Sequence, residues 1–268
     1  SGSNLKEVVM PSSLKIISYG AFLGANKIEK CIIPEGVEEI GSAAFKECTS
    51  LTGTLTLPST LRIIGRAKGY DPYWDGVFLS CNFVCELKIP DSVVEIGMGA
   101  FRECRNLYGE LRLPEKLETM GSQAFWGCSS LSGSLTIPQG VSTIPQGCFA
   151  ETWLGGILTL HDGIISIESD AFSNTGLKGE LRLPRDLEVI SHNAFNNCDF
   201  SGNLVLPENL HTIGDNAFAN NWRLMGTLEI PENVISIGSG AFSSCSSLEG
   251  LIFPEGLESI RSSAFTDC

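Results

Sequence analysis

The sequence contains ten cysteines, and cysteine can take part in more kinds of chemistry than its other residue types. Thiols form disulfides, bind metals and act as nucleophiles. Cys81 and Cys85 are the only close pair, and two thiols without a nearby histidine supply at most half of a zinc site. The simpler interpretation is one buried cysteine and one loop cysteine. Seven cysteines share one spacing, three residues after a phenylalanine: Cys48, Cys81, Cys104, Cys128, Cys198, Cys245 and Cys268.

The same position also holds Ala25, Thr152, Thr175 and Asn221, which indicates a column of small buried side chains. Neighbours in such a column are about 4.8 Å apart with parallel side-chain directions, and disulfide geometry fits that poorly. We therefore predict free, reduced thiols in preference to disulfides or a metal site. Cys148 stands where the pattern usually has alanine, so it is also predicted to be core.

Histidine and serine do not form a recognisable catalytic motif here. His161, His192 and His211 fall at three unrelated positions of the pattern, and no Gly-x-Ser-x-Gly or phosphate-binding glycine loop occurs. We predict a protein that is not an enzyme and needs no cofactor.

The charge balance excludes several partners. With 18 Lys and Arg against 31 Asp and Glu, the net charge is −13, which disfavours sequence-independent nucleic-acid binding. No apolar run of about eighteen residues predicts a membrane span. Carboxylates follow a proline at Glu35, Asp91, Glu115, Glu208, Glu232 and Glu255. Single carboxylates lack the multi-oxygen loop that calcium prefers, so solubility is their expected role.

A repeat must position all of these residues. A motif of the form Leu-x-Leu/Ile-Pro, as in Leu111-Arg112-Leu113-Pro114, occurs eleven times when other apolar or cysteine residues are allowed in the first, second and last copies. In one copy His161 replaces the proline. Successive copies are separated by 23 or 24 residues, except for one step of 32 that contains an insertion over 66–76. The pattern predicts one domain over 1–268 with partial repeats at both ends.

Eleven of the fourteen phenylalanines recur at one position of this repeat. One unit cannot bury such a residue alone, so the units must stack into a continuous core. The period-two apolar pattern before each proline predicts a strand, and stacked strands predict a parallel sheet. Val37–Ile40 is predicted to be a second short strand or an extended turn. The Ala-Phe segment is predicted to be a single helical or 3₁₀ turn. The Ile96-Gly97 step is predicted to be a turn, which glycine permits.

The segment Ile89-Pro90-Asp91-Ser92-Val93-Val94-Glu95-Ile96-Gly97 continues into Ala100-Phe101-Arg102-Glu103-Cys104. It resembles the BspA-like, or Treponema pallidum-type, leucine-rich repeat nearly position for position. The resemblance implies a leucine-rich repeat solenoid: a right-handed coil of ten to eleven repeats, with a parallel sheet on one face and short turns or 3₁₀ segments on the other. It also implies a cell-surface or secreted bacterial protein, or a protist homologue, used in adhesion or host contact.

Two surfaces are candidate binding sites. Alternate residues of the pre-proline strands must face outward, and three strands carry a carboxylate two residues before a cation. The insertion adds exposed aromatic and acidic residues that can stack on sugars or anchor a protein, or else cap the neighbouring coils. The candidates are Tyr70, Asp71, Tyr73, Trp74, Asp75, Glu86, Lys88, Glu110, Arg112, Glu180 and Arg182. For each charged pair, a solvated strip of self-neutralising charges is the simpler interpretation.

We therefore predict an extracellular or cell-surface adhesion module with a protein or glycan partner. The alternative is a structural spacer in a larger surface protein, with no ligand of its own. Both chain ends fall inside repeats without polar caps, so we expect a segment of a longer protein that frays or associates end to end.

Overall fold

A computed structural model describes residues 4–66 and 76–268. The chain divides into two compact units: unit 1 is Ser1–Ser132 with Pro138–Gly140, and unit 2 is Gly133–Ile137 with Val141–Cys268. Each unit is a parallel β-solenoid, in which the predicted repeats form successive coils. Single-domain organisation over 1–268 stays a prediction.

Among its described residues, 4–66 and 76–132 with 138–140, unit 1 contains nine short strands. They are β1 (Glu7–Val9), β2 (Ile16–Ile17), β3 (Lys30–Ile32), β4 (Glu39–Ile40), β5 (Ile63–Ile64), β6 (Glu95–Ile96), β7 (Gly109–Glu110), β8 (Thr119–Met120) and β9 (Leu131–Ser132). Strands β2, β4, β5, β6 and β8 form a five-stranded parallel sheet, and β1–β3 and β7–β9 are parallel pairs.

Unit 2 repeats the same plan. Its strands are β10 (Leu135–Thr136), β11 (Thr143–Ile144), β12 (Leu158–Thr159), β13 (Ser166–Ile167), β14 (Lys178–Gly179), β15 (Val189–Ile190), β16 (Asp199–Asn203), β17 (Thr212–Ile213), β18 (Arg223–Glu229), β19 (Ser236–Ile237), β20 (Ser247–Ile252) and β21 (Ser259–Ile260). The odd strands β11 to β21 form a six-stranded sheet. Strands β14, β16, β18 and β20 form a second sheet, and β10 pairs with β12.

The most regular sheet in each unit lies after the proline rather than before it. The Val37–Ile40 segment resolves as strand β4, and its counterparts pair in every described coil. The pre-proline strands form shorter sheets and contain glycines in the left-handed region, as at Gly109 (φ 98°) in β7 and Gly226 (φ 77°) in β18. The β18–β20 register shifts between Gly226 and Thr227, which is the signature of a bulge.

The Ala-Phe segment is a turn and not the helical or 3₁₀ turn that the pattern allowed. The residues two before and two after the phenylalanine are left-handed, as at Gly99 (φ 56°) and Glu103 (φ 60°) around Phe101. Alternate amides therefore point along the stack: Phe101 N–H donates to Ala124 O (2.8 Å), and Glu103 N–H donates to Trp126 O (2.8 Å). The amides between them bond within their own coil.

Phenylalanine rings form a ladder inside each unit. Rings stack from Phe22 to Phe125 in unit 1 and from Phe149 to Phe265 in unit 2, with centroids 5.1 to 5.5 Å apart. The three remaining phenylalanines each meet a ladder ring edge to face: Phe83, Phe200 and Phe253. The predicted continuous core is thus aromatic as well as aliphatic within each unit.

The glycine after the isoleucine is required for close approach between coils rather than for a turn. At Gly97, which is not left-handed, an added Cβ would lie 2.6 Å from the Arg66 nitrogen and 2.6 Å from the Gly65 carbonyl carbon. Both neighbours are backbone atoms, so they cannot move aside as a flexible side chain can.

We expect Gly97→Ala to lower the free energy of unfolding by about 1–3 kcal/mol, the usual cost of overpacking. Urea unfolding followed by circular dichroism measures this. Gly53→Ala in the same unit is the control, because a Cβ at Gly53 meets nothing within 4 Å. Equal stability of the two variants would contradict the close-approach explanation.

Candidate functional site

The outward face of the pre-proline strands in unit 1 carries the predicted charged residues. The intervening Leu87 and Leu111 are buried, so their neighbours point to solvent as the alternation requires. Lys88 Nζ lies 3.0 Å from Glu86 Oε2, and Arg112 Nη2 lies 2.8 Å from Glu110 Oε2. Each cation therefore pairs with the carboxylate two residues before it on its own strand.

These two pairs lie on adjacent coils around a shallow groove. The groove has a volume of about 400 Å³ and is lined by both pairs and by Asp91. Hydrogen bonding to Glu110 raises the pKa of the Arg112 guanidinium, and the charges of Glu110 and Glu86 add to this effect. The side chains of Lys88 and Arg112 are 77% and 85% exposed, against 52% and 47% for Glu86 and Glu110. Each cation is thus more exposed than the carboxylate it pairs with.

Unit 2 carries the third predicted pair and a groove that sequence analysis missed. Arg182 Nη2 lies 3.2 Å from Glu180 Oε2, with both side chains exposed. A groove of about 570 Å³ lies along the strands that follow, with Val205, Glu208, Glu229 and Glu232 in its lining. Its signal in the sequence was Val205, an apolar residue at an outward position of its strand.

The insertion candidates Tyr70, Asp71, Tyr73, Trp74 and Asp75 lie outside the described residues. Their role in binding stays a prediction.

The chain matches the family model for the BspA-type leucine-rich repeat region over residues 1–68, 74–200 and 166–268. This chain belongs to the BspA-type leucine-rich repeat family. The resemblance read from the Ile89–Cys104 segment is therefore confirmed.

Two solved structures share the fold of this BspA-type chain. A leucine-rich repeat protein from Bacteroides ovatus is 24% identical with a TM-score of 0.58, over 98% of this chain and 76% of that one. A leucine-rich cell-surface protein from Faecalibacterium prausnitzii is 23% identical with a TM-score of 0.55, over 93% of this chain and 73% of that one. A comparison with curated proteins gives no match.

The BspA-type cysteine position is a column of hydrogen-bond donors. The thiols of Cys104 and Cys128 donate to Phe78 O and Phe101 O of the preceding coil, both at 3.0 Å. Thr152, Thr175 and Asn221, which replace cysteine in unit 2, also donate to a ladder phenylalanine carbonyl. Every member of the column except Ala25 therefore carries a side-chain donor and is not only the small apolar side chain that was predicted.

All ten cysteines of this BspA-type chain are free thiols, and Cys148 is buried as predicted. Burial raises the pKa of the Cys48 thiol to about 11 and that of Cys128 to about 12. Cys85 lies in a bend outside the strands, as the loop interpretation expects, but it is buried, and its sulfur accepts the Leu55 N–H at 3.2 Å.

The histidines hold structural positions. The His161 ring, which replaces the proline of the repeat, has Nε2 3.0 Å from Val141 O. His211 Nε2 lies 3.7 Å from Glu188 Oε2. Among residues 4–66 and 76–268, no three His, Cys, Asp or Glu side chains form a group able to hold a metal ion. The same residues contain no helix long and apolar enough to cross a membrane.

Proposed function

We propose that this chain is a non-enzymatic binding module of an extracellular or cell-surface protein, and that it contacts a protein or glycan partner. The contact surface is the unit 1 groove formed by Glu86, Lys88, Glu110 and Arg112. The observation that carries this proposal is the position of the two cations on adjacent coils, further into solvent than their carboxylate partners.

The electrostatic setting supports this assignment. The chain carries a net charge of −13, and two exposed cations on adjacent coils of such a chain favour an acidic or hydrogen-bond-accepting partner at this groove. Exposed ion pairs contribute only about 0–1 kcal/mol to folding, so stability does not explain the arrangement. The Faecalibacterium protein of the same fold is a cell-surface protein, which supports the proposed location.

A binding screen tests the groove directly. We expect the chain to bind at least one member of a glycan array or a panel of immobilised extracellular-matrix proteins. The double variant Lys88→Ala with Arg112→Ala should bind that member at least tenfold more weakly, and higher ionic strength should weaken binding by the native chain. Thermal unfolding should be nearly unchanged.

The matched control is Arg105→Ala with Lys116→Ala, which removes two exposed cations of unit 1 outside the groove. It should retain native binding. Loss of binding in both double variants would show a general charge effect and overturn the groove. A native chain that binds no member of either panel would instead behave as a spacer.

A further inference from the structure

Two large aromatic side chains of unit 2 stand in solvent at the same position of the repeat. Trp153 and Trp222 each lie four residues after a ladder phenylalanine, and they are 75% and 51% exposed. The residues just before them, Thr152 and Asn221, both donate to ladder carbonyls, so the two tryptophans belong to one column. Neither indole is buried in the core of unit 2.

The residues between the two indoles project little into solvent. Counted from the ladder phenylalanine, Gly176 and Asp199 are the counterparts of the tryptophans in the two intervening coils, so one counterpart has no side chain. The strand register is locally shifted here, with Asp199 opposite Lys178. Asp199 forms an ion pair with Arg223, in which Oδ2 lies 2.9 Å from Nη1. Three coil steps of about 4.8 Å place the two indoles about 14 Å apart along the stack.

One indole is held in a fixed orientation. The Arg223 guanidinium lies over the Trp222 ring, 4.3 Å from its centroid, and Asp199 fixes that guanidinium by the same ion pair. A cation on one face orients the ring and leaves the rest of it to solvent.

A row of amide groups runs beside the tryptophan column. Asn197 Nδ2 donates to Asn174 Oδ1 (2.8 Å), and Asn174 Nδ2 donates to Glu151 Oε1 (2.7 Å). All three side chains are exposed. An amide has two donor hydrogens and two acceptor lone pairs, so these bonds leave capacity for hydroxyl groups of a ligand.

We propose that the Trp153–Trp222 face, made of Trp153, Trp222, Asn174 and Asn197, binds an extended, neutral, β-linked polysaccharide. Sugar rings stack on the two indoles, and hydroxyl groups of the intervening sugars bond to the amides. A pyranose of an extended chain is about as long as one coil step, so about three rings cover the span. The proposal rests on the binding role given above but uses a separate surface in unit 2.

The surroundings favour a polysaccharide over other ligands that stack on aromatic rings. Single-stranded nucleic acid requires a basic track for its phosphates, whereas Arg223 is neutralised by Asp199 and the net charge is −13. A protein anchor requires an apolar pocket around it. Here the exposed amides of Asn174 and Asn197 lie two positions before the tryptophan position of the repeat, and the intervening coils carry Gly176 and Asp199 at that position.

Affinity electrophoresis in native gels tests this proposal. The probes are hydroxyethylcellulose and mixed-linkage β-glucan, with dextran as the α-linked comparison. We expect the β-linked polymers to retard the native chain more strongly than dextran. Trp153→Ala and Trp222→Ala should each weaken binding at least tenfold, and Asn197→Gly, which keeps the left-handed backbone, should weaken it severalfold.

Tyr19→Ala is the control, because it removes an exposed aromatic ring from unit 1. It should bind like the native chain, as should Lys88→Ala with Arg112→Ala, which separates this test from that of the groove. Trp153→Phe should restore most of the affinity. The proposal is wrong if neither β-linked polymer retards the native chain, or if the tryptophan variants bind unchanged. It is also wrong if these variants lose binding to a matrix protein and keep binding to the polysaccharides, because the face would then be a protein-binding surface.

Discussion

Replacing Phe172 with alanine is expected to lower the free energy of unfolding by about 3–5 kcal/mol. The ring is fully buried and lies between Phe149 (5.5 Å) and Phe195 (5.4 Å). Its removal leaves a cavity and breaks the ring stack on both sides. Urea unfolding at neutral pH, followed by circular dichroism, measures the loss.

Phe253→Ala is the matched control in the same unit. Phe253 is 40% exposed and makes one edge-to-face contact, with Phe265 at 5.8 Å. Its loss should cost clearly less. Phe172→Leu keeps most of the volume without the stacking, and should cost about 1–1.5 kcal/mol. A Phe172→Ala variant as stable as Phe253→Ala would refute a stabilising role for the ladder.

The buried thiols are expected to destabilise the fold in alkali. Burial raises the pKa of Cys128, Cys198 and Cys245 to about 12 each, above the ordinary value for an exposed thiol. Above pH 9 the unfolded chain releases thiol protons that the folded chain retains, so stability falls as pH rises from about 9 to 12. Each such thiol contributes about 1.4 kcal/mol per pH unit in this window.

Urea unfolding at pH 8, 9, 10 and 11 in a phosphine reductant measures the slope. Cys128→Thr supplies a hydroxyl donor at the same position, as Thr175 does in unit 2. It should be close to native at pH 8 and should lose stability less steeply above pH 9, by about 1.4 kcal/mol per pH unit. The two proteins differ only at this position, so equal slopes would show that Cys128 ionises freely in the folded state.

The sequence pattern was sufficient to predict the fold because one residue type recurs at one position. Phe101 and its counterparts have no room inside a single coil, so a stack is the only way to bury them. The period did not predict the second regular sheet, since Glu39-Ile40 is too short to distinguish a strand from a turn. The pattern also predicted a turn as the reason for glycine at position 97. The actual reason, a close approach to the backbone of the neighbouring coil, is a feature of three-dimensional packing that the sequence does not display.

The features of the candidate sites were also predicted only in part from the sequence. Alternation predicted correctly that Lys88 and Arg112 face outward, because a strand directs successive side chains to opposite sides. The donor role of the cysteine column was missed, although Thr152, Thr175 and Asn221 share a donor and not an apolar surface. The Trp153–Trp222 face was missed because its position is not one of the apolar positions of the repeat. Identical placement of two tryptophans was the available signal.

The alternating amides of the Ala-Phe turns also affect how such a chain can evolve. Phe172 N–H donates to Ala194 O (2.9 Å), and Phe195 N–H donates to Ala217 O (2.8 Å), so each coil presents the same donors and acceptors to the next. Loss or duplication of one whole repeat by recombination between similar stretches of the gene therefore rejoins matching edges. The number of coils can drift in a lineage while every remaining bond is preserved, and selection can act on the length of a binding surface separately from its stability.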